Sequence, residues 1–170
     1  SNKLLINPNT SPGTYTLVGI ADFDNNPGNH QVVLKIETGT STDQFIAFNR
    51  ATGVNSQNDE ADNEVTIVET GNNGEGYSQS FLKAHLVTGQ TYTYSSWAGS
   101  SANTLTITAD EINLSTNPAT ATITICVNGD CGCEFNADWV FFSFWHFSYS
   151  DKEGRVFADG QVPGLLNSYV

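Results

Sequence analysis

The sequence predicts an all-β protein, built as an antiparallel β-sandwich or jelly roll of roughly ten strands. Three observations indicate this fold class. Apolar and polar residues alternate with a period of two, as in TLTIT at 104–108 and TATITI at 120–125. Clusters of Gly, Asn and Pro separate the alternating segments. No window combines the apolar spacing of an amphipathic helix with good helix formers.

The predicted strands follow one another at short intervals. In chain order, we predict them over residues 14–20, 31–37, 43–49, 64–69, 78–87, 90–96, 103–109, 119–127, 138–149 and 155–158. Turn-forming segments such as NNPGN at 25–29 and GNNGEG at 71–76 lie between them. The clearest strands place threonine on one face and Leu, Ile or Ala on the other. This arrangement is typical of a half-buried antiparallel strand.

The domain organisation predicted from the sequence is simple. Residues 1–13, SNKLLINPNTSPG, are rich in Pro and Asn around a short apolar segment. We predict an N-terminal arm over 1–13 that is suited to exchange as a strand between copies. A single β-sandwich domain is predicted over 14–170, since this length allows one domain with a sizeable core.

The net charge of −12 restricts the classes of partner. Such a chain repels nucleic acid and anionic membrane surfaces, and no apolar stretch approaches the roughly 20 residues of a membrane-spanning helix. Cations, Ca²⁺ above all, are the natural partners. Only 14% of the residues are charged. The abundance of Thr, Ser, Asn and Gly predicts an extracellular or cell-surface protein, with glycosylation sequons at Asn9 and Asn113.

The segment ADFDNNPGNH holds the first predicted calcium ligands, Asp22, Asp24 and Asn26, at alternate positions. An EF-hand is excluded, because Pro27 stands where the EF-hand loop needs Gly and Val33 stands at the twelfth position. Two interpretations stay open. The segment is either a looser calcium loop or a strand-to-strand turn made of good turn formers.

A second acidic segment, VNSQNDEADNEV, holds the other predicted calcium ligands. They are Asp59, Glu60, Asp62 and Glu64. Carboxylates this close together repel one another unless a cation lies among them or the loop is fully solvated. The sequence therefore leaves open a calcium site or a solvated loop.

Three cysteines, Cys126, Cys131 and Cys133, fall in CVNGDCGCEF. In an oxidising compartment we predict one disulfide across the Asn128-Gly129 turn, either Cys126–Cys131 or Cys126–Cys133, with one thiol left over. A zinc site made of the three cysteines, with His146 as a candidate fourth ligand, is the alternative, although the paired Cys-X-X-Cys spacing is absent.

The segment from 139 to 149 is the most aromatic part of the chain. As a strand it is apolar on both faces, so it needs a second cover besides the opposing sheet. We consider a cover from the same chain, a neighbouring subunit, or sugar rings stacked on the aromatics. The predicted interface or glycan-stacking residues are Trp97, Trp139, Phe141, Trp145, Phe147 and Tyr149.

Two further segments carry a family resemblance. FNRATGVNS at 48–56 and GYSQSFLKAHLVTGQTYT at 76–93 resemble the accessory β-domains of gametolysin-like secreted metallopeptidases of algae and protists. The resemblance covers roughly two thirds of the chain and implies a non-catalytic extracellular module. It brings no active site, because the chain lacks the His-Glu-X-X-His motif of these peptidases.

The sequence therefore predicts a non-enzymatic extracellular module that builds a surface fibre, coat or matrix. Its copies would be held together by strand exchange and apolar contacts. No histidine stands in a motif that would activate a nucleophile. A carbohydrate-binding or adhesion module, with a polysaccharide as partner, is the alternative function.

Overall fold

The computed structural model describes residues 3–6, 12–71, 78–132, 149–150 and 156–157. Over these residues the regular structure is β, interrupted only by short 3-10 turns. The chain divides into two compact units, residues 1–133 and 134–170. The strands are β1 Lys3–Ile6, β2 Gly13–Val18, β3 Val33–Ile36, β4 Asp43–Asn49, β5 Glu64–Thr70, β6 Ser80–Leu86, β7 Thr91–Ser95, β8 Thr104–Asn113, β9 Thr120–Val127, β10 Tyr149–Ser150 and β11 Val156–Phe157.

The first unit contains two sheets. Sheet I has the strand order β1-β3-β4-β5-β6, and sheet II has the order β2-β9-β8-β7. Strand β1 pairs parallel to β3, and the other pairs in the two sheets are antiparallel. Each sheet thus has four antiparallel strands, and both sheets line one apolar core. The prediction of an antiparallel all-β sandwich is confirmed at this level.

Two details of the predicted fold class are corrected. The described sandwich has eight antiparallel strands rather than roughly ten. Each of the first eight predicted segments forms one of them. Of the last two, 138–149 lies outside the described residues apart from Tyr149. Within 155–158, Val156–Phe157 forms β11, which pairs with β10 in a separate two-stranded sheet. Strands β3 to β6 and β7 to β9 are also meanders, without the Greek-key order of a jelly roll.

The core follows from the alternation in the sequence. In β4, Ile46 and Phe48 are buried, while Ala47 between them is partly exposed. In β8, Leu105 and Ile107 are fully buried, and Thr106 between them points to the outer face. The apolar inner faces of the two sheets meet in a single cluster, as expected when half-buried antiparallel strands stack.

The two long sides of the sandwich differ. On one side the sheets are linked, because Val18 N donates to Gln31 O (2.9 Å) and Gln31 N donates to Thr16 O (3.2 Å). On the other side lie β6, at the edge of sheet I, and β7, at the edge of sheet II. The turn that joins β6 to β7 is closed by a hydrogen bond from Gln90 N to Val87 O (3.0 Å).

The N-terminal arm predicted over 1–13 contains one strand and the first residue of the next. Residues Lys3–Ile6 form β1, which pairs in register with Val33–Ile36 of the same chain. Gly13 already belongs to β2, where it pairs with Ile125. Exchange of β1 between copies stays a prediction.

Candidate assembly surface

Strand β7, with the sequence TYTYS, forms an edge of sheet II. Its one hydrogen-bonded neighbour among the described strands is β8. Thr91, Thr93 and Ser95 are exposed, whereas Tyr92 and Tyr94 are half-buried and pack against the core. The strand therefore presents an edge and an outer face to the surroundings.

The hydrogen-bond pattern shows which backbone groups of β7 face this edge. At the start of the strand, Gly89 N donates to Ala109 O (2.6 Å) and Ala109 N donates to Gln90 O (2.9 Å). Gly89 has a φ of +85°, which is typical of the first residue of a glycine bulge. Because hydrogen-bonded and non-hydrogen-bonded pairs alternate from this point, the N–H and C=O of Thr93 point away from β8.

The absence of charge distinguishes β7 from most edges. Residues 84–109 contain no Asp, Glu, Lys or Arg, although the chain has a net charge of −12. Natural edge strands are commonly protected by charged residues, Pro or bulges. None of these devices interrupts Thr91–Ser95. Within the described ranges, β7 is therefore an edge strand that lacks these protective features.

Strand β6 forms the neighbouring edge of sheet I and is protected. Its pairing with β5 shifts register between Ile67 and Val68, and Lys83 and His85 expose their side chains along it. Lys83 Nζ lies 3.3 Å from Glu69 Oε1. Phe81 is nonetheless 52% exposed and Leu82 41% exposed. This edge thus offers an apolar contact rather than a regular ladder of backbone groups.

A buried polar group lies near the inner side of β7. Gln44, on β4, is fully buried, and its amide lies near the Tyr92 phenol. Burial raises the pKa of the Tyr92 phenol, and the nearby Gln44 amide and Lys83 ammonium act in the opposite direction. The inner side of β7 is therefore less apolar than the centre of the core.

The first predicted calcium segment forms a loop held by its own amides. Asn26 Nδ2 donates to His30 O (2.8 Å), and Asn26 Oδ1 accepts from His30 N (2.9 Å). Asp22 ends a 3-10 turn, and one of its carboxylate oxygens is buried without a hydrogen bond from any described group. Asp24 is exposed. The amide of Asn26 thus fixes the loop, and calcium binding at this segment stays a prediction.

The second predicted calcium segment is fixed by hydrogen bonds to the end of β4. Asn49 Nδ2 donates to the carbonyl oxygens of Glu60 (2.9 Å) and Ala61 (3.0 Å), and Asn63 N donates to Asn49 O (2.9 Å). Arg50 Nη1 donates to Asn63 Oδ1. These contacts hold the loop against the end of β4.

The carboxylates of this second segment do not converge. Asp59, Glu60 and Asp62 are exposed, and Glu64 pairs with His85 across β5 and β6. Among the described residues, no group of three or more His, Cys, Asp or Glu side chains is placed to hold a metal ion. The described carboxylates thus do not form a ligand set for calcium, and calcium binding stays a prediction.

The cysteine cluster contains a disulfide between Cys126 and Cys131. The tight turn at Asn128 and Gly129, both with positive φ, brings the two cysteines together. Val127 N donates to Asp130 O (2.7 Å), and Asp130 N donates to Val127 O (2.9 Å). The structure thus selects Cys126–Cys131 from the two predicted pairings. Cys133 lies outside the described residues.

Most of the predicted aromatic interface also lies outside the described residues. This holds for Trp139, Phe141, Trp145 and Phe147. Tyr149 belongs to β10 and Trp97 begins the 3-10 turn Trp97–Gly99, but their side chains are not among those described. Sugar stacking on these aromatics therefore stays a prediction.

The two predicted glycosylation sites have different outcomes. Asn9 lies outside the described residues. Asn113 ends β8, and its Oδ1 accepts hydrogen bonds from Ser115 N (3.0 Å) and Ser115 Oγ (2.7 Å). The second sequon thus forms a partly exposed turn at the end of a strand.

No protein-family model matches this chain, and neither does any curated protein or solved structure. In the parts of the chain that the structure describes, no helix has the length and apolarity needed to cross a membrane. The edge of β7, which has one neighbour among the described strands, is the candidate site that the sequence reasoning did not single out. The uncharged run of 84–109 was its signal in the sequence.

Proposed function

We propose that this protein is a non-enzymatic extracellular structural module, a subunit of a surface fibre, coat or matrix whose copies associate through strand edges. The single observation that carries the proposal is the open edge of β7. Its five residues have no charge, no bulge and no Pro, and the backbone of Thr93 faces outward. Such an edge is a template for another strand.

The partner is a second copy of this chain. The sequence TYTYS is self-complementary when two copies run antiparallel about Thr93. In that register Thr91 meets Ser95 of the other copy on the outer face, and Tyr92 meets Tyr94 on the inner face. Cross-strand pairs of hydroxyl residues and of aromatics stabilise antiparallel strands. Two strongly acidic chains also approach most easily at a neutral edge.

This contact forms a two-fold dimer, because each copy contributes the same strand. A second contact, through the aromatic segment 139–149 or by exchange of β1, would extend the dimer into a fibre. The Cys126–Cys131 disulfide and the low content of charged residues support an extracellular location. Calcium and glycosylation at Asn9 or Asn113 belong to the same proposal as additional stabilisers.

The test compares full-length wild-type protein with the Thr93→Pro variant. Proline removes the outward N–H and leaves the ladder to β8 intact, so the domain should fold while strand addition is blocked. We expect the dissociation constant of the dimer, measured by sedimentation equilibrium, to rise at least about tenfold, or about 1.4 kcal/mol. Negative-stain microscopy with and without a chelator should show whether larger assemblies form and whether they need calcium.

The Thr93→Val variant is the matched control, because it changes the same side chain and keeps the N–H. It should associate as tightly as the wild type. Thermal unfolding followed by circular dichroism should give similar midpoints for all three proteins. A monomeric wild type at every concentration would refute the proposal. Equal association of the folded Thr93→Pro variant would show that the copies meet at another surface.

A further inference from the structure

Two charged side chains are buried together on sheet I. Lys35, on β3, is only 7% exposed, and Asp43, on β4, is only 1% exposed. Lysine and aspartate are almost never fully buried unless they are paired. Lys35 lies between the core residues Leu34 and Ile36, so its side chain is on the side of sheet I that faces away from the core. The pair is therefore shielded from water outside the apolar core.

The surroundings of this pair contain two further polar groups. Lys35 Nζ lies 3.0 Å from Asp43 Oδ2, and it also contacts Glu37 Oε1. Thr38 N donates to the other oxygen, Asp43 Oδ1 (3.1 Å). An ordinary ion pair needs only the first of these contacts. Here the amine is at one carboxyl oxygen, a backbone N–H is at the other, and a second carboxylate lies on the amine.

The turn between the two strands is held by its own hydroxyl groups. The hydroxyl oxygens of Thr38 and Thr40 lie 2.7 Å apart, and Thr40 N donates to Thr38 Oγ1 (3.2 Å). Thr40 Oγ1 donates to Thr42 O (3.2 Å). These bonds hold in place the Thr38 N–H that points at Asp43. Groups that are held in position react faster than the same groups in solution, because the entropy of bringing them together is already lost.

These groups have the roles that amide formation requires. A lysine removed from water acts as a nucleophile in covalent catalysis. A carboxylate beside it can accept and return a proton. An N–H aimed at a carboxyl oxygen stabilises the negative charge that develops on that oxygen when the carbon is attacked. Lys35, Glu37 and Thr38 supply these three groups around the Asp43 carboxyl.

We propose that Lys35 and Asp43 react to form an intramolecular amide, an isopeptide bond from Nζ to the carboxyl carbon. One proton passes from the Lys35 ammonium to Asp43 Oδ2, and Nζ then attacks the carbon while the Thr38 N–H stabilises Oδ1. Glu37 takes a second proton from the nitrogen and returns it to Oδ2, which leaves as water. The nitrogen keeps its third hydrogen, and Glu37 ends in its starting charge state. The bond joins β3 covalently to β4, and it does not depend on the association through β7.

Burial favours the neutral product. The amide replaces two opposite charges whose removal from water costs free energy. The Glu37 side chain is 39% exposed, so the water molecule leaves beside it. The hydrogen bond to Glu37 raises the pKa of Lys35 more than burial lowers it, which makes the ammonium the resting form and the reaction slow. Molecules that have not reacted keep the ion pair.

The test is the intact mass of the full-length protein after prolonged incubation, with the Cys126–Cys131 disulfide reduced. We expect linked protein to be lighter than its sequence by one water molecule. Trypsin then locates the bond, because it cleaves after Lys35 only when that amine is free. The unlinked chain gives the peptides 4–35 and 36–50, and the linked chain gives one peptide, 4–50, that is lighter by one water.

Variants separate the reaction from the fold. Lys35→Arg keeps the positive charge without a nucleophilic amine and should keep the full mass of its sequence. Glu37→Gln should link at least about a hundredfold more slowly, since it cannot accept the proton. The matched control is Glu69→Gln, because Glu69 is paired with Lys83 on the same sheet, with 3.3 Å between Nζ and Oε1. The control should link at the wild-type rate, and circular dichroism should show that all variants fold.

Three results would overturn the inference. One is a wild-type mass that stays equal to the mass of its sequence after incubation. Another is loss of water with continued cleavage after Lys35, which would indicate a succinimide at an aspartate. The third is a folded Glu37→Gln variant that links as fast as the wild type, since proton transfer would then not pass through Glu37.

Discussion

Sheets I and II share one core but differ in what they present outward. The strands of sheet I contain Lys3, Lys35, Asp43, Glu64, Glu69 and Lys83. The strands of sheet II contain only Asp110 and Glu111, and threonine dominates their outer face. The inner faces, in contrast, are alike, with Ile46 and Ile107 both fully buried.

The inner and outer faces of a sandwich sheet have different roles. The inner residues fix the fold, and their apolar character follows from burial alone. The outer residues need not resemble one another, so their composition reports on partners and solubility. A sheet that is almost uncharged within a chain of net charge −12 is therefore the part from which we infer function.

The inner faces should respond equally to truncation. Ile46→Ala in β4 and Ile107→Ala in β8 each remove a fully buried side chain from an interior strand. We expect each to lower the free energy of unfolding by about 3–4 kcal/mol, the sum of lost transfer energy and a cavity. Urea denaturation measures both. A difference of more than about 2 kcal/mol between them would contradict the expected equality of the two inner faces.

Substitutions on the two outer faces should lower the free energy of unfolding by unequal amounts. Lys35 is 7% exposed and lies beside Glu37 and Asp43, with 3.0 Å between Lys35 Nζ and Asp43 Oδ2. This contact is an ion pair between two largely buried side chains. Asp43 Oδ1 also accepts from Thr38 N (3.1 Å), which ties the pair to the β3–β4 turn.

Lys35→Met should therefore lower the free energy of unfolding by about 3 kcal/mol, because it leaves the buried Asp43 carboxylate without its cation. Thr106→Val on sheet II should change it by no more than about 0.5 kcal/mol. Urea denaturation of both variants measures the contrast. The double variant Lys35→Met/Asp43→Asn should recover most of the loss, since it removes both charges and keeps the acceptor for Thr38. Equal effects of the two single substitutions would remove the distinction between the faces.

Much of the sandwich could be predicted because alternation is a local property. The first eight strands were predicted close to their observed bounds, and β4 matches residue for residue. β8 continues to Asn113, beyond the predicted end at 109, because the register shift between Ala109 and Glu111 lets the strand continue. A shift of this kind depends on the partner strand, so one sequence does not reveal it.

The site could be predicted only in part, because edges and ligand sets arise from non-local pairing. That TYTYS lies at an edge depends on the order of strands in sheet II, and alternation carries no information about that order. The acidic segments show that closeness in sequence does not by itself create a ligand set. Their carboxylates are close in sequence, but Asn49 and Arg50, from a neighbouring strand and its end, determine how the second loop is held.

The smallest expected effect concerns the pH dependence of stability. Lys35 on sheet I and two tyrosines on sheet II should each contribute to it. The hydrogen bond to Glu37 raises the pKa of Lys35 above its ordinary 10.5, burial lowers it, and Asp43 adds to the increase. A raised folded-state pKa on a lysine stabilises the folded state fully below the unfolded value. That stability is lost as the pH rises through the folded value.

Burial also raises the pKa of Tyr15 and Tyr92, on sheet II, above 10.0. Their phenols ionise first in the unfolded chain, which draws the equilibrium toward unfolding at alkaline pH. Urea denaturation from about pH 9 to about pH 12 should therefore show falling stability in the wild type. The Lys35→Met/Asp43→Asn variant should fall less steeply, since only the tyrosine contribution is left. Parallel curves for the two proteins would show that Lys35 contributes nothing to the alkaline loss.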